Sequence, residues 1–335
     1  MKQKLKHIYR CPYTKSKLKS ELAEPRNDEV ISGKFTNDSG DQYKIENGIP
    51  YFLQPTKISE QEASTISEYN NISEFYDNAI DWLFGSFFED EEAVRRRMVE
   101  LLEIEQSSKV LEVGCGTARD SLFIAERLSN SAELYLQDIS VNMVSLAKEK
   151  IENCDLNFES HFFVSSATYL PFEDNYFDAL YTFGGFNEFI QPKETLTEFS
   201  RVVKPGGKVV FGDENIAPWL DETEYAEIIK VNNPIFNRTT LPLHYLPATS
   251  LETCLRWIIG NCFYLIDYRV GESEPNLNLD LPHRGWRGGT LRTRFYGQLE
   301  GVLPSTKEKV ISAAKDSGLS VHEWLDRKLN ELVSK

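Results

Sequence analysis

From residue 109 the chain alternates short apolar runs with amphipathic stretches. The runs at 109–113, 133–137, 160–164, 178–183 and 207–212 are predominantly hydrophobic, as expected of strands covered on both faces. Between them, 119–129, 140–152 and 193–203 repeat their apolar residues at helical spacing. This alternation predicts an α/β fold, a Rossmann-like doubly wound sheet of parallel strands. Residues 213–249 break the rhythm with Trp219, Pro218, Pro234, Pro242 and Pro247, which gives the insertion the character of a lid. A helix over 250–260 and two further strands, 262–270 and 290–298, are expected to complete a seven-stranded sheet.

Both flanks read differently. Residues 8–53 carry short strands broken by the polar turns Asn27-Asp28 and Asn37–Gly40, and close with Gly48-Ile49-Pro50, a small β module. Residues 56–107 are helical and rich in aromatics: Phe75, Tyr76, Trp82, Phe84, Phe87 and Phe88 precede an amphipathic helix at 89–102. A helix so close to the first strand is placed to cover a ligand, and Tyr76 is the candidate contact. The end reads as a helical hairpin. Ser305 with Glu308 and Ser320 with Glu323 have capping-box spacing, and Gly318 lies between the two helices. The expected parts are 1–55, 56–107, 108–300 and 301–335.

Composition narrows the function. Net charge is −15, which disfavours a polyanionic substrate. The first twenty residues are the exception, with seven Lys/Arg and no acid; a solvated tail flanking the ribbon is the plainer reading, an RNA or membrane contact the sharper one. No apolar run reaches membrane-spanning length and no secretory signal opens the chain, so a cytoplasmic protein is expected. Five scattered cysteines without a Cys-x-x-Cys pair read as free thiols, and no metal is expected.

The chemistry concentrates after the first strand. Val110-Leu-Glu-Val-Gly-Cys-Gly-Thr-Ala118 runs from a strand into a glycine turn and a helix, and Asp138 ends the next strand, 24 residues after Gly114. That combination makes a site for a nucleoside cofactor. Further on come Leu170-Pro-Phe-Glu-Asp-Asn-Tyr-Phe-Asp178, Phe183-Gly-Gly-Phe-Asn-Glu188 and Arg201-Val-Val-Lys-Pro-Gly-Gly207. This series resembles the class I S-adenosylmethionine-dependent methyltransferases, in particular the UbiE/Coq5-like group. The N-terminal module resembles the Trm112/UPF0434 ribbon, except that Thr14 stands where a second zinc-binding cysteine would pair with Cys11.

The resemblance implies S-adenosyl-L-methionine as cofactor and a set of contacts. Glu112 would lie near the methionine moiety, and Gly114, Cys115 and Gly116 would wrap the amino-acid part. Asp138 would hold the ribose, with Ile139 and Met143 beside the adenine. Ser166 and Ala167 would border the adenine, and Phe183 and Gly184 would face the sulfonium. Two positions depart from the family pattern. Ala118 replaces the third glycine of the turn, and Ser166 replaces the aspartate that binds the adenine amine.

The acceptor is less defined. Candidate general bases are Asp213 with Glu214, His244, and His283 in Asp280-Leu-Pro-His-Arg-Gly-Trp-Arg-Gly-Gly289, whose Arg284, Trp286 and Arg287 suit an anionic or aromatic small molecule. An rRNA, tRNA or protein methyltransferase that docks its substrate through the ribbon is the alternative. A third reading, from Thr290–Tyr296 and the two capped helices, is a ribbon-helix-helix DNA-binding regulator. The sequence leaves the oligomeric state open.

Overall fold

The computed structural model describes residues 1–334 except 26, 74, 155, 285–288 and 297–301. The chain divides into two compact units, Met1–Glu274 and Pro275–Lys335.

The first unit is built on a seven-stranded sheet. Its strands are β5 (Lys109–Val113), β6 (Glu133–Asp138), β7 (Glu159–Val164), β8 (Phe177–Phe183), β9 (Val203–Glu214), β10 (Ser250–Ile258) and β11 (Phe263–Val270). The order is β10-β11-β9-β8-β5-β6-β7. Strands β9, β8, β5, β6 and β7 pair in parallel, whereas β11 is antiparallel to both β9 and β10. Helices α4 (Arg119–Ala125), α5 (Val141–Glu152) and α6 (Pro192–Val202) are the crossovers expected from the alternation. Because the order turns back at β5 and β8, the carboxyl ends of those strands open a crevice between their diverging loops.

One strand was expected as a helix. Residues 250–258 form β10, paired with β11 from Ser250↔Val270 to Ile258↔Phe263. The register shifts between Leu251 and Cys254, and both Leu251 and Leu255 are exposed on this edge strand. A bulge that interrupts the two-residue alternation leaves apolar residues four apart, which imitates helical spacing. The strand expected at 290–298 is instead a helix, α8 (Leu291–Tyr296), in the second unit; 297 and 298 lie outside the described residues. Loss of that strand removes the ribbon from the ribbon-helix-helix reading.

The second unit continues with α9 (Pro304–Asp316) and α10 (Val321–Val333). Ser320 and Glu323 form the expected capping box, and Gly318 (φ +66°) follows α9. The Ser305–Glu308 box does not form, because Pro304 already opens α9 and leaves Ser305 within its first turn.

At the other end, β1 (Lys19–Leu22), β2 (Gly33–Thr36), β3 (Gln42–Glu46) and β4 (Ile49–Pro50) make an antiparallel sheet in chain order. This ribbon has no core of its own to speak of. Tyr9 packs with ring centroids 4.8 Å from Phe52, 5.5 Å from Phe172 and 6.1 Å from Phe163, so ribbon and sheet share one aromatic cluster. The backbone joins as well: the Phe52 amide donates to the Val164 carbonyl (2.8 Å) and the Arg10 amide to that of Pro171 (2.9 Å). The first contact lies along β7 and covers the sheet edge there.

The basic leader is packed into its unit and paired in part. Lys4 pairs with Glu159 (2.7 Å), Arg10 with Glu173 (2.7 Å) and Lys15 with Glu198 (2.6 Å), all acids of the same unit. Cys11 is buried, its sulfur against the Tyr43 hydroxyl and the Asn37 side-chain amide.

Three helices link ribbon and sheet: α1 (Glu60–Ile72), α2 (Tyr76–Ser86) and α3 (Glu91–Glu100). Of the aromatics in this segment Phe84 is buried, whereas Phe75, Trp82 and Phe88 are exposed.

Two stability measurements follow from this packing. Tyr9→Ala should cost about 3–5 kcal/mol and leave a single unfolding transition, since the ribbon cannot melt apart from the sheet; an early separate transition in denaturant would show an independent ribbon. Ala118 holds φ +65° in a fully buried turn. There Ala118→Gly should stabilise by up to about 1 kcal/mol, the left-handed strain outweighing the entropy of glycine. A lower midpoint for that variant would contradict the strain.

Candidate active site

The glycine turn is shaped by backbone that ordinary residues avoid. Gly114 and Gly116 have φ +66° and +51°, and the amides they present need acceptors. The neighbouring strand β6 supplies them. The Gln137 side-chain oxygen accepts the Gly114 amide (3.1 Å), and Asp138 Oδ2 accepts that of Gly116 (3.0 Å). Asp138 Oδ1 accepts the Ser140 amide at the start of α5 (2.8 Å), and the Gln137 side-chain nitrogen donates to the Ser165 carbonyl. The ends of β5, β6 and β7 are thus tied into one rim.

Two cavities open along this rim. The first, about 700 Å³, is lined by Gly114, Gly116, Gln137, Asp138, Ile139, Met143, Ser166, Ala167, Thr168, Gly184, Gly185, Glu188, Phe189 and Ile190, with Glu62, Thr65, Tyr69 and Tyr76 from α1 and α2. The second, about 570 Å³, shares Tyr76, Gly114, Gly116 and Gly184 and adds Cys115, Phe183, Arg95, Asp120, Glu214 and Phe263, among others. Shared walls make them adjoining compartments. Gly114, Gly116 and Gly184 all hold positive φ where the two compartments meet.

Burial sets the charge states. Asp138 is pushed up to about 6 by burial, against the three backbone amides that favour its carboxylate. Glu112 lies under the turn with the Ser121 hydroxyl donating to it, and burial holds its carboxyl well above the usual range. Asp213, enclosed behind the rim, accepts the amides of Asn187 (2.6 Å) and Glu214 (2.8 Å), and burial together with the Glu214 charge keeps it raised. Arg95 is buried against Asp120 (2.6 Å) and Glu91 (2.6 Å), which neutralise the one deeply buried cation of the second cavity.

Most of the expected ligand contacts come together. Tyr76, Gly114, Gly116, Asp138, Ile139, Met143, Ser166, Ala167 and Gly184 line the first cavity, and Cys115 and Phe183 the second. Glu112 lines neither. The candidate bases are dispersed: Asp213 is enclosed, and His244 is exposed on a 3-10 turn against the Tyr245 ring. His283 and Arg284 are exposed in the second unit, where the His283 amide donates to the Gly289 carbonyl (2.7 Å); Trp286 and Arg287 lie outside the described residues. Only Glu214, next along β9, reaches a cavity wall among the acids proposed for proton transfer.

The largest omission from the sequence reading is α1. Its Ser59–Glu62 capping box was a visible signal, but nothing in a polar helix announced that Glu62, Thr65 and Tyr69 wall a pocket. The helix is held there by Asn70, which accepts the Ser140 hydroxyl (2.7 Å) and the Asn142 side-chain amide (3.0 Å), both from the start of α5. On the other side Arg119 and Thr117 of the glycine turn bind Asp77 of α2.

Comparison with known proteins finds likenesses for the middle of the chain. A family model described as a methyltransferase domain matches residues 110–207. Demethylmenaquinone methyltransferases from Bacillus cereus (strain ATCC 10987 / NRS 248) and Bacillus mycoides (strain KBAB4) are 35% and 33% identical over 123 residues, 37% of this chain and 52% of each relative. The chain thus spans about half the length of the curated relatives it matches. A solved S-adenosylmethionine-dependent methyltransferase from Aquifex aeolicus superposes with a TM-score of 0.39 at 17% identity, over 52% of this chain and 89% of that one. Glycine turn, strand-end acid and matched segment coincide at one rim, and residues 110–207 carry the match to a methyltransferase domain.

Proposed function

We propose that the protein transfers a methyl group from S-adenosylmethionine to a small, ring-bearing acceptor. The observation that carries this reading is the pair of adjoining cavities meeting at Gly114, Gly116 and Gly184, with Asp138 in one and Glu214 in the other. The residues fit the cofactor. The Asp138 carboxylate takes the Gly116 amide on one oxygen and the Ser140 amide on the other, and its remaining acceptor capacity suits the hydroxyls of a ribose. Ile139 and Met143 offer apolar faces for a base, and the glycines allow close approach of the chain that joins ribose to sulfur.

When bound, the cofactor supplies an electrophilic methyl carbon on a sulfonium. The protein's part is positioning and proton management. Asp138 would hold the ribose, and Phe183 and Gly184 would lie beside the end of the cofactor that offers the methyl group. Glu214 would accept the proton that the acceptor gives up on methylation. Ring-bearing acceptors are supported by Phe183, Phe263 and Tyr76 in the wall, and by the likeness to enzymes named for demethylmenaquinone. Acidic Glu214 beside these rings, with the Arg95 charge already met by Asp120 and Glu91, favours an uncharged or cationic acceptor over an anionic one. Pairing of Lys4, Arg10 and Lys15 within their own unit weakens the support for the nucleic-acid alternative.

Titration calorimetry with S-adenosylhomocysteine tests the cofactor site. Asp138→Ala should weaken binding by about tenfold to a hundredfold, the loss of hydrogen bonds to a charged group. Asp138 sits near 6 when free, and accepting two hydroxyls favours its carboxylate. Binding should therefore release a proton close to pH 6 and none at pH 8, and affinity should fall as pH drops below about 6. Binding heats independent of buffer ionisation at pH 6 would overturn that assignment.

Methyl transfer from labelled cofactor to 1,4-naphthoquinol tests the acceptor side. Glu214→Gln should lower kcat by about a hundredfold while cofactor affinity holds within about threefold. Transfer to an RNA or protein fraction, with none to quinols or phenols, would reverse the acceptor assignment.

A further inference from the structure

Glu62 and Ser166 are 104 residues apart in sequence, one on a helix outside the sheet and one just after β7, yet they form a single wall of the first cavity. The Ser166 hydroxyl donates to Glu62 Oε1 at 2.9 Å, so its proton is committed, and its oxygen faces the Thr168 amide at 3.4 Å. What this wall presents to a ligand is acceptor character, concentrated on a carboxylate. The other oxygen, Oε2, is occupied by the Ser59 amide (3.0 Å) and hydroxyl (3.1 Å), which close the capping box of α1. Oε1 has one further acceptor position.

An adenine ring bears a donor there: its exocyclic amine carries two hydrogens. We propose that Glu62 reads this amine, supplying from α1 the carboxylate that the loop after β7 lacks, and that the same side chain makes reading conditional on the first turn of α1. The inference rests on the cofactor assignment above. It has a specificity consequence. A base with a carbonyl in place of the amine would set lone pair against carboxylate, and the wall would reject it rather than merely fail to hold it. Ser166 is then a positioning residue, since its hydroxyl aims Oε1. Cofactor occupancy and the order of α1 are linked, because the adenine adds a bond to a side chain whose other oxygen holds Ser59.

The test compares S-adenosylhomocysteine with S-inosylhomocysteine, identical but for a carbonyl at the amine position, by titration calorimetry. The intact protein should prefer the adenosyl ligand by about tenfold to a hundredfold. Glu62→Ala should reduce that preference to within about threefold by weakening the adenosyl ligand alone. The double variant Glu62→Ala, Ser166→Asp should restore it, because a carboxylate returns to the same wall from the loop. In the intact protein, hydrogen exchange at the amides of 61–64 should slow with the adenosyl ligand more than with the inosyl one. If Glu62→Ala weakens both ligands equally, Glu62 is a helix cap and nothing more, and the proposal falls. A preference unchanged in Glu62→Ala overturns it as well. Failure of the intact protein to bind either ligand would instead remove the cofactor assignment, and this inference with it.

Discussion

The Asp138 carboxylate is the constraint on which the crevice depends. It sits where β6 ends, and its two oxygens hold the amide of Gly116 and the amide that begins α5. Without an acceptor at that point the Gly116 amide, presented by left-handed backbone, would have to find another partner. The fold keeps a charge-bearing group in a buried place to do this, and burial raises its pKa to about 6. A buried carboxylate costs stability on its own account, and the amides it holds at the turn and at the start of α5 offset that cost.

The parallel strands were legible because burial on both faces writes hydrophobic residues without interruption, and the crossover helices write them at helical spacing. The edge of the sheet was not. At β10 a bulge and solvent exposure remove both signals, and 250–258 reads as a helix until its pairing with β11 is seen. Residues 290–296 failed in the opposite sense: Thr290, Leu291 and Thr293 suit a strand, yet no sheet edge takes them and α8 forms. Capping signals carried further. Ser320–Glu323 marks α10 correctly, whereas Ser305–Glu308 has the right spacing but lies behind a proline that starts the helix earlier.

Most of the site was legible for a local reason. Gly114, Gly116 and Asp138 belong to one strand-turn-helix-strand unit, and local chemistry dictates each residue. Contributions from outside that unit were not legible, since no pattern in α1 distinguishes a cavity wall from a solvated face. The candidate bases are scattered for a related reason. Histidine and arginine in the glycine-rich loop 280–289 suggest chemistry by composition alone, and of the candidate bases only Glu214 lines a described cavity.

The ribbon shares its aromatic core with strand β7 and the segment after it, and this has a consequence for how the chain acquires its structure. Tyr9 and Phe52 leave the ribosome more than a hundred residues ahead of Phe163 and Phe172, the rings that enclose them. Contacts of such sequence separation are slow to form. During synthesis the ribbon is therefore an exposed apolar surface with unpaired edges, awaiting the sheet that buries it, and its protection in that interval is a matter for the cell's folding machinery.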